Sequence, residues 1–272
     1  MQFYSIIIPL YNESSYIPRL LESISSINIK NNEILIIDDG STDGSTQLLQ
    51  DCEYIKLIIL QNNMGKGAAV KRGLAEASND KVIIFDGDME ISPKEIIKLM
   101  ILDRANNINL VLGYRFHSLN PLKSSMDWGN FIFTTFFNIL QNTSHKDVLC
   151  CAKAFFKNDL KHTKIVSNGF DIDVELSSKL TRLNRNNRIH QKFLSYKRRA
   201  ASEGKKLEIS DGWKILKEDS RVEGFNIGTN AGKVAGQSIM HCHVHLIPRR
   251  EGDVENPQGG VRSVIPKKQH YK

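Results

Sequence analysis

From residue 4 the chain alternates short β-branched apolar runs with amphipathic stretches. SIIIPL is followed by IPRLLESISS, EILIIDD by STQLLQD, and IKLIILQ by KGAAVKRGLAEA, before KVIIFDGD closes the series. Apolar strands separated by helical periodicity predict right-handed βαβ units. The runs are continuous rather than alternating, as in strands covered on both faces, so the expected fold is α/β with a mostly parallel sheet flanked by helices. Farther on, SPKEIIKLMILDRA predicts a helix opening at a Ser-Pro cap, and NLVLGYRF predicts a further strand. The texture changes near Lys217. From Gly224 the chain is glycine-rich, then reads MHCHVHLIPRR and ends in a Gly/Pro-rich tail. A boundary there divides the chain into residues 1–217 and a small α+β appendage, 218–272.

Composition narrows the setting. With 272 residues, 40% of them hydrophobic, the chain can bury one substantial core. The aromatic-rich run from Phe131 to Leu140 is about half of the ~20 residues that cross a bilayer, and it contains Thr134, Thr135 and Asn138. No transmembrane helix is expected. The first residues form an apolar strand without a basic leader or a small-residue cleavage site, which places the protein in the cytoplasm. Cys52, Cys150, Cys151 and Cys242 make no C-x-x-C pair and read as reduced thiols. A formal charge of +7 suits phosphate-rich ligands or an anionic membrane surface, and no nucleic acid partner is expected.

Ligands of open α/β sheets bind beyond the carboxyl ends of the strands. Those positions are polar here: Asn12 and Glu13, Asp38 and Asp39, Asp86 and Asp88. In extended backbone, residues i and i+2 point the same way, so Asp86 and Asp88 can face one hard cation that bridges a diphosphate. Such a cation would stabilise charge developing on a departing nucleoside diphosphate. A pair of acidic residues after a strand is also commonly a solvated turn.

Four ordered segments, SIIIPLYNE, ILIIDDGSTDGS, NNMGKGAAVKRGL and VIIFDGDMEISP, resemble those of family 2 glycosyltransferases, and the chain is most similar to the dolichyl-phosphate sugar synthase-like branch over residues 4–216. The resemblance implies a GT-A-like fold, a nucleotide-sugar donor and Mg²⁺ or Mn²⁺. It assigns Pro9, Asn12, Glu13, Asp39 and Asp38 to base and ribose contacts, and it brings Lys66, between Gly65 and Gly67, and Asp86 to the nucleotide. Asp88 is the leading metal ligand, with Asp86 acting directly or through water and Glu90 as a further oxygen donor. GFDIDVELSSKL is similar to the acceptor-side segment, where Asp173 matches the catalytic-region carboxylate. A hydroxyl acceptor would require such a base, whereas a lipid phosphate would not. Asp171 and Glu175 also lie on one helical face, so a solvated acidic helix remains the alternative. Arg198, Arg199 and Lys206 are implied phosphate contacts, with a solvated basic face as the alternative. Cys151 stands where a glycine is expected, and a side chain there would narrow the pocket. WGNFIFTTFFNIL fits either a buried helix or an interfacial one touching the inner face of the membrane.

His241, His243 and His245 alternate along an apolar strand and share one face. The row could bind a transition metal, or one imidazole could attack phosphorus. The segment from Gly224 to Pro266 resembles the C-terminal half of histidine-triad nucleotide hydrolases and transferases. That resemblance makes His243 the nucleophile, His241 and His245 its supports, and Asn230, Gln237 and Ser238 phosphate contacts. The family's N-terminal half is not recognisable upstream. A half-domain leaves strand edges uncovered unless it packs on the transferase, on a second copy or on a partner chain.

The leading expectation is therefore metal-dependent, inverting transfer of a sugar from a nucleotide diphosphate to a polyprenyl phosphate or a saccharide hydroxyl. The alternatives are a nucleotide hydrolase working through His243 and a non-catalytic scaffold that binds nucleotide sugars.

Overall fold

The computed structural model describes residues 3–27, 31–116, 125–185, 187–197, 219–228 and 245–253. The chain divides into two compact units, Met1–Arg198 and Arg199–Lys272.

The first unit is built on a seven-stranded sheet. In chain order its elements are β1 (Tyr4–Leu10), α1 (Ile17–Ser25), β2 (Glu33–Asp38), α2 (Ser45–Gln50), β3 (Lys56–Ile59), α3 (Lys66–Glu76) and β4 (Lys81–Ile84). After these come β5 (Leu110–Tyr114), α4 (Ser125–Gln141), β6 (Lys153–Phe156), α5 (Ile172–Leu183) and β7 (His190–Phe193). The strand order is β3-β2-β1-β4-β6-β5-β7. The first four strands run parallel, as the alternating pattern predicts, and β6 enters antiparallel to both β4 and β5.

Strand parity sorts the core into two layers. Ile6 and Ile8 point to the side covered by Leu20 and Ile24 of α1, whereas Ile7, Leu35 and Ile37 meet Val70 and Leu74 of α3 and Leu176 and Leu180 of α5. Helix α3 packs so closely that a Cβ on Gly73 would come within 2.4 Å of Ile7.

The helix expected over SPKEIIKLMILDRA is a short 3₁₀ helix, Pro93–Leu99, and Ser92 Oγ at its cap accepts from the Lys94 amide. Pro93, Ile96, Leu99 and Leu102 are all buried, a strict spacing of three that matches three residues per turn.

In the second unit, β8 (Val222–Gly228) and β9 (His245–Arg250) form an antiparallel pair with an irregularity between Val222 and Gly224. Asp219 binds both Arg221 and Arg250, and Arg249 pairs with Asp253.

Candidate active site

The carboxyl ends of β1, β2 and β4 carry the polar positions singled out in the sequence. Pro9 is buried in β1, past the last β1–β4 pair at Ile7 and Ile84. The loops after β1 and β2 are laced together. Asn12 adopts a left-handed φ of 53°, its side-chain oxygen accepts from the Thr42 amide at 2.8 Å, and its own amide donates to Ser41 at 2.9 Å. The Glu13 amide donates to Ser45 Oγ. Asp43 accepts from the amides of Ser14 and Ser45. Burial would raise its pKa, but hydrogen bonds from Ser45 and Ser14 outweigh this and hold it at about 2.

Asp38 and Asp39 turn inward. Asp38 is fully buried and accepts from the Ser41 amide and the Thr46 hydroxyl, so its role here is to shape the loop. Asp39 accepts from the amides of Met64 and Gly65 at 2.9 and 2.7 Å, and burial raises its pKa despite these bonds. It thereby fixes the start of α3.

That start is where the glycines matter. Gly65 has φ +96°, and a Cβ there would lie 2.4 Å from the Asn168 carbonyl oxygen, while one on Gly67 would lie 2.5 Å from that of Ser167. The two glycines let α3 dock on the loop before α5 and carry Lys66 to Asp173. Lys66 Nζ lies 2.8 Å from Asp173 Oδ2, and 2.8 and 2.9 Å from the two oxygens of Asp86. The side chains of Lys66 and Asp173 are only 7% and 8% exposed. Burial disfavours the ammonium, but the carboxylates of Asp173 and Asp86 outweigh this and hold its pKa well above the usual lysine range. Likewise, burial would raise Asp86, but the Lys66 charge keeps it below the ordinary carboxylate value.

Asp86, Asp88 and Glu90 line one open cleft of about 280 Å³ together with Arg115, Leu149, Cys151 and Tyr196. Asp88 Oδ1 accepts from the Glu90 amide, and Ile91 bridges to Tyr196, so the acidic loop is strapped down by the end of the unit. Among the described residues, no three His, Cys, Asp or Glu side chains are already gathered into a metal cage. The donor set nevertheless fits Mg²⁺ or Mn²⁺, because such cations are commonly held by one or two carboxylates plus the oxygens of a bound phosphate.

Three contributors, Arg115, its partner Asp147, and Lys153, were missed in the sequence. Arg115 follows β5 and forms a forked pair with Asp147, Nε to Oδ2 at 2.8 Å and Nη2 to Oδ1 at 3.1 Å. Asn130 of α4 also donates to Asp147. Burial would raise Asp147, but the guanidinium keeps it below the ordinary carboxylate range. The rings of Phe116 and Tyr196 flank the guanidinium at 5.4 and 5.3 Å. The third is Lys153 of β6, which lies behind Asp173. Cys151 is buried and lines the same cleft as Asp86. A bond with Cys150, burial and the Asp86 charge push that thiol's pKa up, so it stays protonated.

The profile of glycosyl transferase family 2 matches residues 5–163, more than half of the chain. The chain belongs to glycosyl transferase family 2. A HIT domain profile matches residues 176–252 and so begins inside α5, upstream of residue 218. The undecaprenyl-phosphate 4-deoxy-4-formamido-L-arabinose transferase of Aeromonas hydrophila is 38% identical over 104 residues, covering 35% of this chain and 32% of that protein. The protein of the same name from Proteus mirabilis is 36% identical over the same length. The family 2 chain thus spans about a third of the length of these curated relatives. Among solved structures, glucosyl-3-phosphoglycerate synthase from Mycobacterium tuberculosis with Mn²⁺, UDP and phosphoglyceric acid superposes with a TM-score of 0.57 at 17% identity, over 91% of this chain and 87% of that one. Its complex with phosphoglyceric acid gives 0.56 at 18% identity, over 82% and 84%. The family 2 fold of the chain is of the GT-A type.

Several assigned positions lie outside the described residues: Arg198, Arg199 and Lys206 among the phosphate contacts, and Asn230, Gln237, Ser238, His241 and His243 in the histidine-triad segment. The backbone of His245 opens β9 opposite Gly228.

Proposed function

We propose that the chain transfers a sugar, with inversion, from a nucleotide diphosphate sugar to a lipid-linked phosphate. One observation carries the choice of acceptor. Asp173 is bound by Lys66 at 2.8 Å and has Lys153 at 3.7 Å, while the guanidinium of Arg115 lines the cleft beside the acidic loop. Both oxygens of that carboxylate already face ammonium groups rather than an open position for a hydroxyl, whereas a phosphate acceptor needs no base and suits a guanidinium.

In this reading the loops at Asn12–Glu13 and Asp38–Asp39 cradle the nucleoside. Asp88, with Glu90, would hold Mg²⁺ or Mn²⁺, and Asp86, whose oxygens face Lys66, would reach it through water; the ion when bound neutralises charge on the donor's diphosphate. Arg115 orients the acceptor, whose phosphate oxygen forms a bond to the anomeric carbon as the carbon–oxygen bond to the diphosphate breaks. The electron pair of that bond leaves on the nucleoside diphosphate. Attack from the face opposite the leaving group inverts the centre.

Helix α4 supports a lipid acceptor. Its inward face presents buried Asn130 and Thr134, and Asn130 reaches Asp147. Its outward face is apolar: Phe136, Ile139 and Leu140 are 60%, 73% and 65% exposed, and Phe131, Ile132 and Phe133 extend the patch. A broad exposed face of aromatic and aliphatic residues, with Phe137 turned in beside Asn130 and Thr134, suits a helix lying in a membrane interface. No helix among the described residues is long and apolar enough to cross a membrane.

The test incubates the full-length chain with Mn²⁺, a panel of nucleotide sugars and vesicles carrying polyprenyl phosphate. Transfer to the lipid phosphate with release of nucleoside diphosphate is expected. Transfer only to free saccharide hydroxyls would overturn the choice of acceptor.

A further inference from the structure

Lys153 is 1% exposed, although it occupies a position on β6 that an aliphatic side chain could fill. Burying an ammonium is costly, and the cost is offset only by close partners. Lys153 has two. Its Nζ donates to the Cys150 carbonyl and lies 3.7 Å from Asp173 Oδ1. The other oxygen of Asp173 holds Lys66, which in turn grips both oxygens of Asp86. Four charges therefore alternate in sign, Lys153, Asp173, Lys66 and Asp86, from inside the fold to the cleft. Asp173 sits in the first turn of α5.

Lys153 is not among the residues lining the cleft. We propose that it is a positioning residue of the transfer site, holding Lys66 against Asp86 through the carboxylate the two lysines share. Without it, Asp173 keeps only Lys66 of its two ammonium partners, draws it away from Asp86, and the quartet changes from neutral to one net negative charge. An anionic diphosphate is then met by an unbalanced carboxylate. With Asp173 also neutralised, the remaining pair, Lys66 and Asp86, is balanced again. The proposal rests on the reading of this cleft as the donor site.

The experiment is a double-mutant cycle on nucleotide binding, which does not depend on turnover. Isothermal titration calorimetry with Mn²⁺ identifies which of UDP, GDP, CDP and ADP binds the full-length wild type most tightly. That nucleotide is then titrated into K153M, K153Q, D173N and K153Q/D173N, with thermal unfolding followed in parallel. K153Q removes the charge but keeps a donor for the Cys150 carbonyl, and it serves if K153M does not fold. Loss of Lys153 should weaken binding about tenfold, and adding D173N should recover affinity rather than compound the loss. K153Q with wild-type affinity, or losses that simply add, would overturn the proposal alone. A wild type that binds none of the four nucleotides would overturn the functional reading and the proposal with it.

Discussion

Asp88 enters the cleft with one oxygen already accepting the Glu90 amide, which fixes the carboxylate's direction. Asp88→Ala should reduce Mn²⁺-dependent transfer by about a hundredfold or more, the scale seen when a group stabilising transition-state charge is removed. Steady-state turnover checks this, and an unchanged rate would remove Asp88 from the metal site. Arg115 is held by the fork to Asp147, a geometry that lysine cannot reproduce. Arg115→Lys should therefore raise the KM for the acceptor about tenfold while leaving donor affinity within about twofold, because it keeps charge but loses orientation. Equal losses on both substrates would place Arg115 elsewhere in the reaction. These residues also mark how far the sequence could be read. Asp86, Asp88 and Lys66 were found because the strand-end rule and the ordered motifs point to them. Arg115 follows an apolar run in the same manner and was legible in principle, but attention to acidic strand ends passed over a cation. Asp147 and Lys153 have no local signal, since their partners lie 32 and 20 positions away along the chain. Nor can sequence tell that the oxygens of Asp38 and Asp39 are spent on nearby loop groups.

Helices α4 and α5 each join the cleft to something beyond it. The outward face of α4 predicts that Phe136→Glu/Ile139→Glu lowers binding to anionic lipid vesicles by about tenfold or more, since each replacement puts a charge where apolar area should meet lipid. Cosedimentation with vesicles measures this. Unchanged thermal stability is expected because both side chains are already exposed. In α5, Glu175 accepts from the amides of Val166 and Ser167 and pairs with Lys179, which fixes the loop on which Gly67 rests. Burial would raise its pKa, but the Lys179 bond and those amides hold it at about 2. A depressed carboxylate adds stability that is complete above its unfolded pKa and is lost as pH falls through the folded one. Glu175→Gln should thus destabilise the protein by about 1 kcal/mol at pH 7, allowing for solvent screening, and the difference should vanish near pH 2. Denaturant unfolding at both pH values decides it. The parallel half of the sheet was readable because each strand is an unbroken apolar run. Strand β6 was not, because it falls outside the alternating strand–helix series and its antiparallel pairing depends on strands far away in sequence. That Pro93–Leu99 would be 3₁₀ was not legible, because periods of three and 3.6 diverge little over so short a stretch.

At the scale of the whole chain, two family profiles match one sequence, and the described residues cover much more of the first than of the second. The transferase side has strand ends, a docked α3 and a cleft lined by both acidic and basic groups. On the histidine-triad side, the described part is the β8–β9 pair, with His245 at the start of β9. The HIT profile extends upstream to residue 176, but residues 176–183 are the last eight of helix α5, whose buried face packs against the transferase sheet. The same residues cannot also form the core of a separate hydrolase without leaving that sheet uncovered. Attack on phosphorus by His243 requires the substrate to be held within reach, and orientation can contribute roughly 7 to 11 kcal/mol of barrier lowering that an unpositioned imidazole does not supply. The purified chain should therefore hydrolyse adenosine phosphoramidate no faster than background, and His243→Ala should change neither that rate nor sugar transfer. The kinetics of AMP and ammonia release by wild type and variant provide the measurement. A robust hydrolysis rate that disappears in His243→Ala would mean that the C-terminal segment assembles a complete nucleoside pocket, with help from a second copy or another part of the chain, and that the protein carries two activities.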